Sequence, residues 1–277
     1  MDYDACRHQG APHPHRGRLG TSYMARKAAK QLLKKTGVDP DTIDAVIVST
    51  STADYAFPST ASIVIGKLGL KNAFAFDFWA ACCGFLYSFD VATSMIQSGR
   101  YKRIIVIGAD KMSSVVDYKD RSTCPLFGDG AAAVLVEGTT EQNIGAMDSY
   151  FRADGKGLPF LHLKAGGSVC PPSHFTVDHR LHYLYQEGRT VFRYAVTSMS
   201  DDCALIAERN NLNKDNIRFV VPHQPTSASS RLWPSVLSCP WSRLWSTLST
   251  SVTPVRLLFR SQSGRTSICS RRATTLS

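Results

Sequence analysis

Phe74-Ala75-Phe76-Asp77-Phe78-Trp79-Ala80-Ala81-Cys82-Cys83-Gly84-Phe85-Leu86 is the stretch whose reading decides the fold. The apolar run as far as Ala81 predicts a strand, the cysteines and Gly84 a tight corner, and the pattern from Leu86 to Gln97 a helix. Cys82 then lies at a helix N-terminus, where free backbone N–H groups and the positive end of the helix dipole favour a thiolate and so a nucleophile. Cysteine also serves often as a small, inert buried hydrophobe, so the position alone leaves both roles open. Gly84 lets another backbone approach the corner closely, which favours the chemical role. Cys83 is the alternative reactive thiol.

Upstream, Thr21 or Ser22 can cap a helix whose apolar positions Met24, Ala25, Ala28, Ala29, Leu32 and Leu33 share one face and which Gly37 ends. Arg26, Lys27, Lys30, Lys34 and Lys35 fall mostly on the other face and read as a solvated surface. After a Pro40-Asp41 turn, Ala45-Val46-Ile47-Val48-Ser49 suits a strand covered on both faces. A second helix from about Ser59 to Leu68 leads to the strand before Cys82. Downstream, Arg103 to Gly108 predicts a further strand, and Gly128-Asp129-Gly130 opens a small-residue strand without the spacing of a phosphate loop. The alternation predicts an α/β fold with a largely parallel sheet. The helix from Phe85 to Ile96 is apolar nearly all round, which predicts burial between layers and hence more than three layers. A loop-rich stretch over 154–182 and a helix from Gly188 to about Arg209 follow. Asn216 to Val221 predicts a buried strand ending at Pro222-His223-Gln224. A histidine just past a strand end is well placed to enter a cleft, although such a residue also serves as a structural or surface histidine.

The chain has 277 residues, 43% of them hydrophobic, enough to bury a substantial core as one large domain or two similar halves. No apolar stretch reaches the roughly 20 residues of a membrane span, and no signal pattern opens the sequence, so a cytoplasmic protein without a membrane partner is expected. The eight cysteines show no paired metal-ligand spacing, which predicts reduced thiols and no metal site. The net charge of +10 would suggest nucleic acid, but residues 225–277 hold seven arginines and no Lys, Asp, Glu or Asn. With that segment set aside the charge is nearly balanced, and no nucleic-acid partner is expected. The same segment carries Trp233, Trp241 and Trp245, shows no useful periodicity, and reads as the product of a wrong reading frame beginning after Gln224. Residues 1–19, with His8, His13 and His15, look similarly atypical.

Phe57-Pro58-Ser59-Thr60-Ala61, Ala80-Ala81-Cys82-Cys83-Gly84-Phe85, Asp120-Arg121-Ser122-Thr123, Phe127-Gly128-Asp129-Gly130-Ala131 and Val221-Pro222-His223-Gln224 occur in one order and at one spacing. Together they resemble the β-ketoacyl-acyl-carrier-protein synthase III family of the thiolase-like superfamily, over about residues 20–224. The resemblance implies a five-layer αβαβα fold of two similar halves, usually a homodimer. Here it would be incomplete at both ends, with a first half at 20–140, a partial second half at 141–224 and a non-homologous tail at 225–277. It implies that Cys82 is acylated by a short acyl-coenzyme A and that a carrier-bound malonyl group then loses carbon dioxide and attacks the thioester. His223 would stabilise the enolate through a hydrogen bond to the malonyl thioester carbonyl. Arg121 would contact the coenzyme A nucleotide, and Phe57 would line the partner's acyl pocket across the dimer. Coenzyme A enters as a thioester substrate, and no separate cofactor is implied.

The sequence departs from the family pattern in several places. Cys83 replaces the usual Ser or Ala, a change expected to be tolerated. The Ala-Asn after His-Gln, the later Gly-Asn-Thr-Ser with the third catalytic residue, the terminal glycine-rich strand, the first strand and an N-terminal Trp have no counterpart. Sheets deprived of those strands should expose open edges, and condensation by this chain is expected to be impaired. Two other readings remain: a thiolase-like acyltransferase of secondary metabolism, and a non-catalytic relative.

Overall fold

The computed structural model describes residues 19–141, 144–213, 215–217, 219–221 and 223, and the backbone of 267–276. Its contacts divide the chain into two units. One takes Met112–Gly128 and the described residues from Tyr150 to His223. The other takes the described residues up to Lys111, the segment Asp129–Ser149, and the strand at 267–276.

The second of these units carries the cysteine corner. Its elements in order are α1 (Thr21–Thr36), β1 (Ala45–Ser49), α2 (Thr60–Leu68), β2 (Phe74–Phe78), α3 (Gly84–Gln97), β3 (Arg103–Lys111) and β4 (Asp129–Thr139). The strands form one sheet in the order β2-β1-β3-β4, extended past β4 by a strand at Ser267–Leu276. β1 is an inner strand, parallel to both neighbours, with Ser49 opposite Phe78 on one side and Gly108 on the other. All five of its residues are buried. Alternate side chains go to opposite faces, as the period of a strand requires. Val46 and Val48, with Ile105 and Ile107, pack under Ala25, Ala28, Ala29 and Leu32 of α1 and Ala61 and Val64 of α2. Ala45 and Ile47, with Ile104 and Val106, pack against Ala92 and Ile96 of α3. The result is three layers: two helices, a sheet and one helix.

Several expectations are corrected in this unit. The sheet is mixed: β4 runs antiparallel to β3, because an irregular excursion at 112–128, rather than a crossover helix, joins the two. α3 is buried on one side only, at Gly84, Ser88, Ala92, Thr93 and Ile96, while Leu86 is 57% exposed. Its own unit offers it a single sheet face. Neither Thr21 nor Ser22 is the N-cap of α1. Gly20 holds that position, and the first helical turn is satisfied from another segment, Asp54 accepting from Ser22 N at 2.9 Å and Ser22 Oγ at 2.6 Å. The outer edge of β4, expected to lie open, is paired antiparallel with 267–276. Backbone pairing needs only an edge and a strand-compatible segment, and Ile268, Thr274 and Thr275 supply β-branched residues there.

The other unit has fewer regular elements. β5 (Leu161–Leu163) and β6 (Leu184–Gln186) form an antiparallel pair, α4 (His174–Asp178) begins with a Ser173–Thr176 capping box, and α5 (Gly188–Arg209) is the long helix. The strand at 267–276 completes the numbering as β7. Arg152 of this unit bonds the Ser198 carbonyl at 3.0 Å and the Asp202 carboxylate at 3.0 Å, tying the loop to α5. Among the described residues of the buried strand expected over Asn216–Val221, the structure shows a single bridge, at Val220, and Phe219 and Val221 are 46% and 47% exposed. Among the described residues the cysteine unit is thus a three-layer α/β/α body, and the other unit carries the short β5–β6 sheet. No helix of the described residues is long and apolar enough to cross a membrane.

Candidate functional site

Cys82 lies in a 3-10 turn, Ala81–Cys83, between β2 and α3. The turn starts from Ala81 at φ 45°, a left-handed value that is strained for a residue with a side chain. Cys83 N donates to Ala80 O at 3.1 Å, closing the corner. Cys82 and Cys83 are both solvent-exposed reduced thiols. Gly84 follows because nothing larger fits: a Cβ there would fall 1.9 Å from Ser49 Oγ at the end of β1. The start of α3 therefore rests directly on the end of β1.

The electrostatics at the corner differ from the expected thiolate. The surrounding protein first, then Cys83, then Asp110 push the Cys82 thiol above its ordinary pKa, against the pull of a backbone hydrogen bond at Cys82 itself. Solvent reaches Cys82 while protein atoms crowd around it, and the crowding outweighs the helix terminus. The resting group is a thiol. Asp110, at the end of β3, is half-buried and raised by that burial, although Ser51 N, Thr52 Oγ1 and Thr50 Oγ1 all donate to it. Asp77, in β2, accepts from Thr60 N at 2.6 Å and Ala61 N at 2.7 Å, capping α2 and anchoring the preceding loop. That loop presents Phe57, 86% exposed.

Arg121 and His223 belong to the other unit. Arg121 is exposed at the head of a turn held by Asp120, whose carboxylate accepts from Ser122 N, Ser122 Oγ and Thr123 Oγ1. Thr123 and Cys124 beneath it are buried. Asp117, three residues before Asp120, pairs with Arg180 at 2.5 Å. His223 is exposed, yet the protein packed around its ring holds its pKa below the ordinary histidine value, so the ring is neutral at physiological pH. The structure thus groups Cys82 with Phe57 in one unit and Arg121 with His223 in the other. Sequence reasoning missed Asp110 and Asp77. Asp77 interrupts the apolar run of β2, and that interruption was the available signal, whereas Asp110 stands with Lys111 at the polar end of β3. Among the described residues no cluster of His, Cys, Asp or Glu could hold a metal ion.

Residues 76–155, which include the corner and the Arg121 turn, match the family model of 3-oxoacyl-[acyl-carrier-protein] synthase III. The chain is 73% identical over 206 residues to β-ketoacyl-[acyl-carrier-protein] synthase III of Phocaeicola vulgatus and 71% identical over 206 residues to a synthase III of Bacteroides thetaiotaomicron. Each match covers 74% of this chain and 61% of the relative, so the chain spans about three fifths of the length of these curated relatives. The crystal structure of 3-oxoacyl-[acyl-carrier-protein] synthase III from Aquifex aeolicus superposes with a TM-score of 0.73 at 32% identity, covering 90% of this chain and 73% of that one. The α/β architecture is accordingly thiolase-like, and the chain belongs to the β-ketoacyl-[acyl-carrier-protein] synthase III family.

Proposed function

We propose that Cys82 accepts a short acyl group, acetyl first of all, from an acyl-coenzyme A, in the opening half of the condensation that starts fatty acid synthesis. The sulfur, on losing its proton, attacks the thioester carbonyl and coenzyme A leaves as its thiolate. In the second half a malonyl group on acyl-carrier protein loses carbon dioxide. The resulting enolate forms a carbon–carbon bond to the acyl carbon and releases the Cys82 thiolate. His223 has the neutral ring that a hydrogen bond to the malonyl thioester carbonyl would use, Arg121 would meet the coenzyme A nucleotide, and Phe57 would reach across a homodimer. The reaction takes coenzyme A thioester as substrate and needs no further cofactor, and its setting is the cytoplasm.

The observation that carries this reading is an exposed cysteine on a strained strand-to-helix corner, inside the segment that matches the family model. Because the thiol is held above its ordinary pKa, acylation should quicken as pH rises through neutrality. Residues 225–277 contain no asparagine, so the third catalytic group has no counterpart there, and condensation should lag acylation. Removing a single oxyanion donor costs on the order of a hundredfold or more in rate. Incubation with acetyl-coenzyme A followed by peptide mass spectrometry should find one acetyl group on Cys82, and none on the Cys82→Ser protein. Label on Cys83 alone, or none at all, overturns the assignment. Acetoacetyl-carrier protein formed at the rate of the full-length relatives overturns the impairment.

A further inference from the structure

Asp110 lies where β3 ends, and its Oδ1 accepts from Ser51 N at 2.7 Å, Thr52 Oγ1 at 3.1 Å and Thr50 Oγ1 at 3.2 Å. These three donors are the residues that follow Ser49, the last residue of β1. Ser49 in turn fills the space beside Gly84, two residues beyond Cys82. Thr50 N also donates to Phe78 O at the end of β2, the strand that leads into the corner. One carboxylate therefore pins the end of β1, and the end of β1 supports the turn that carries the sulfur.

We propose that Asp110 is a positioning residue for Cys82, fixing the strand end on which the cysteine turn rests, with its negative charge opposing ionisation of the sulfur that the turn carries. The inference rests on the reading of Cys82 as the acyl acceptor. The titratable groups that act on the thiol are Asp110 from β3 and Cys83 from its own turn, both disfavouring the thiolate. The donors holding the Asp110 carboxylate are all neutral and all from the end of β1. The nearest charges by chain and register are Lys111 and, opposite it on β4, Asp129. At the start of α1, Asp54 accepts from Ser22, which also receives a bond from Lys67 Nζ at 2.9 Å. A thiol kept protonated reacts slowly with peroxides and stray electrophiles, because the thiolate is the species that attacks them, so burial together with the Asp110 charge guards the sulfur.

The test follows alkylation of Cys82 by iodoacetamide against pH in the full chain carrying Cys83→Ser, so that a single corner thiol is read. Asp110→Asn keeps the shape and removes the charge, and should speed alkylation at neutral pH by roughly three- to tenfold through a larger thiolate fraction. Thr52→Val removes one donor and keeps the charge, and should give no such gain. An unchanged or slower Asp110→Asn protein overturns the proposal, as does an equal gain from Thr52→Val, which would make the effect one of local shape. If circular dichroism shows that Asp110→Asn does not fold, the pH profile of the Cys83→Ser protein decides. As Asp110 takes up its proton in the acid range, the thiol becomes more acidic, so the logarithm of the rate should fall by less than one per pH unit there. A straight line of unit slope overturns the proposal. The readout uses no acyl donor, so failure of acetyl labelling with a positive alkylation shift faults the functional reading alone.

Discussion

At Gly84 a single hydrogen in place of a side chain lets α3 begin against β1. Alanine there would put its Cβ 1.9 Å from Ser49 Oγ and 3.1 Å from Ser49 Cβ, and Ser49 is 5% exposed and has little room to move. Gly84→Ala is expected to cost about 1–3 kcal/mol, the usual range for overpacking, and Ser49→Gly in the same chain should restore most of it. Denaturant melts of the two variants and the unsubstituted chain check this, and a Gly84→Ala protein of unchanged midpoint would refute it. Much of this corner was legible in the sequence: the apolar run, the paired cysteines and the following glycine gave the strand, the turn and the helix. The ionisation of Cys82 was not, because it depends first on how the folded protein crowds the thiol, then on Cys83, and then on Asp110, which lies 28 positions away and reaches the corner only once β3 has paired beside β1.

Among the elements, α1 and β1 were read nearly to the residue, since each carries a full amphipathic or fully apolar pattern of its own. Misreadings came where an element's state depends on something distant. The start of α1 depends on Asp54 rather than on its own first residues, and in Asn216 to Val221, which has the composition of a strand, the described residues show a single bridge at Val220. α2 is also held from outside. Asp77 satisfies two of its first N–H groups, and replacing Asp77 by alanine would leave both without that partner. Asp77→Ala is expected to lose about 1–2 kcal/mol and to raise hydrogen exchange selectively at Thr60 and Ala61. Unaltered protection at those two amides would show that the cap contributes little.

For the molecule, the first sheet is the better-built part. Its outer strand β4 is covered by a segment from the far end of the chain, in a stretch that sequence reading set aside as out of frame. Deleting 267–276 is expected to lower the thermal midpoint and to promote association, because β4 would then offer a row of unpaired backbone groups. Light scattering during a thermal ramp checks this, and a truncated chain that melts as the intact one does, without aggregation, would count against β7 as a stabilising strand. The unit that holds Arg121 and His223 was less legible because, α5 apart, its regular elements are short, and Phe219 and Val221 stay 46% and 47% exposed. Within it, Arg121 and His223 could be matched only by motif, since neither stands in a pattern that fixes its surroundings.

β1 contributes Val46 and Val48 to the layer beneath α1 and α2, and Ala45 and Ile47 to the layer beneath α3. A slip of one residue along its neighbours would exchange both sets at once. The two layers thus share a wall with no independent lining on either side, and this part of the molecule has no seam along which it could come apart by halves.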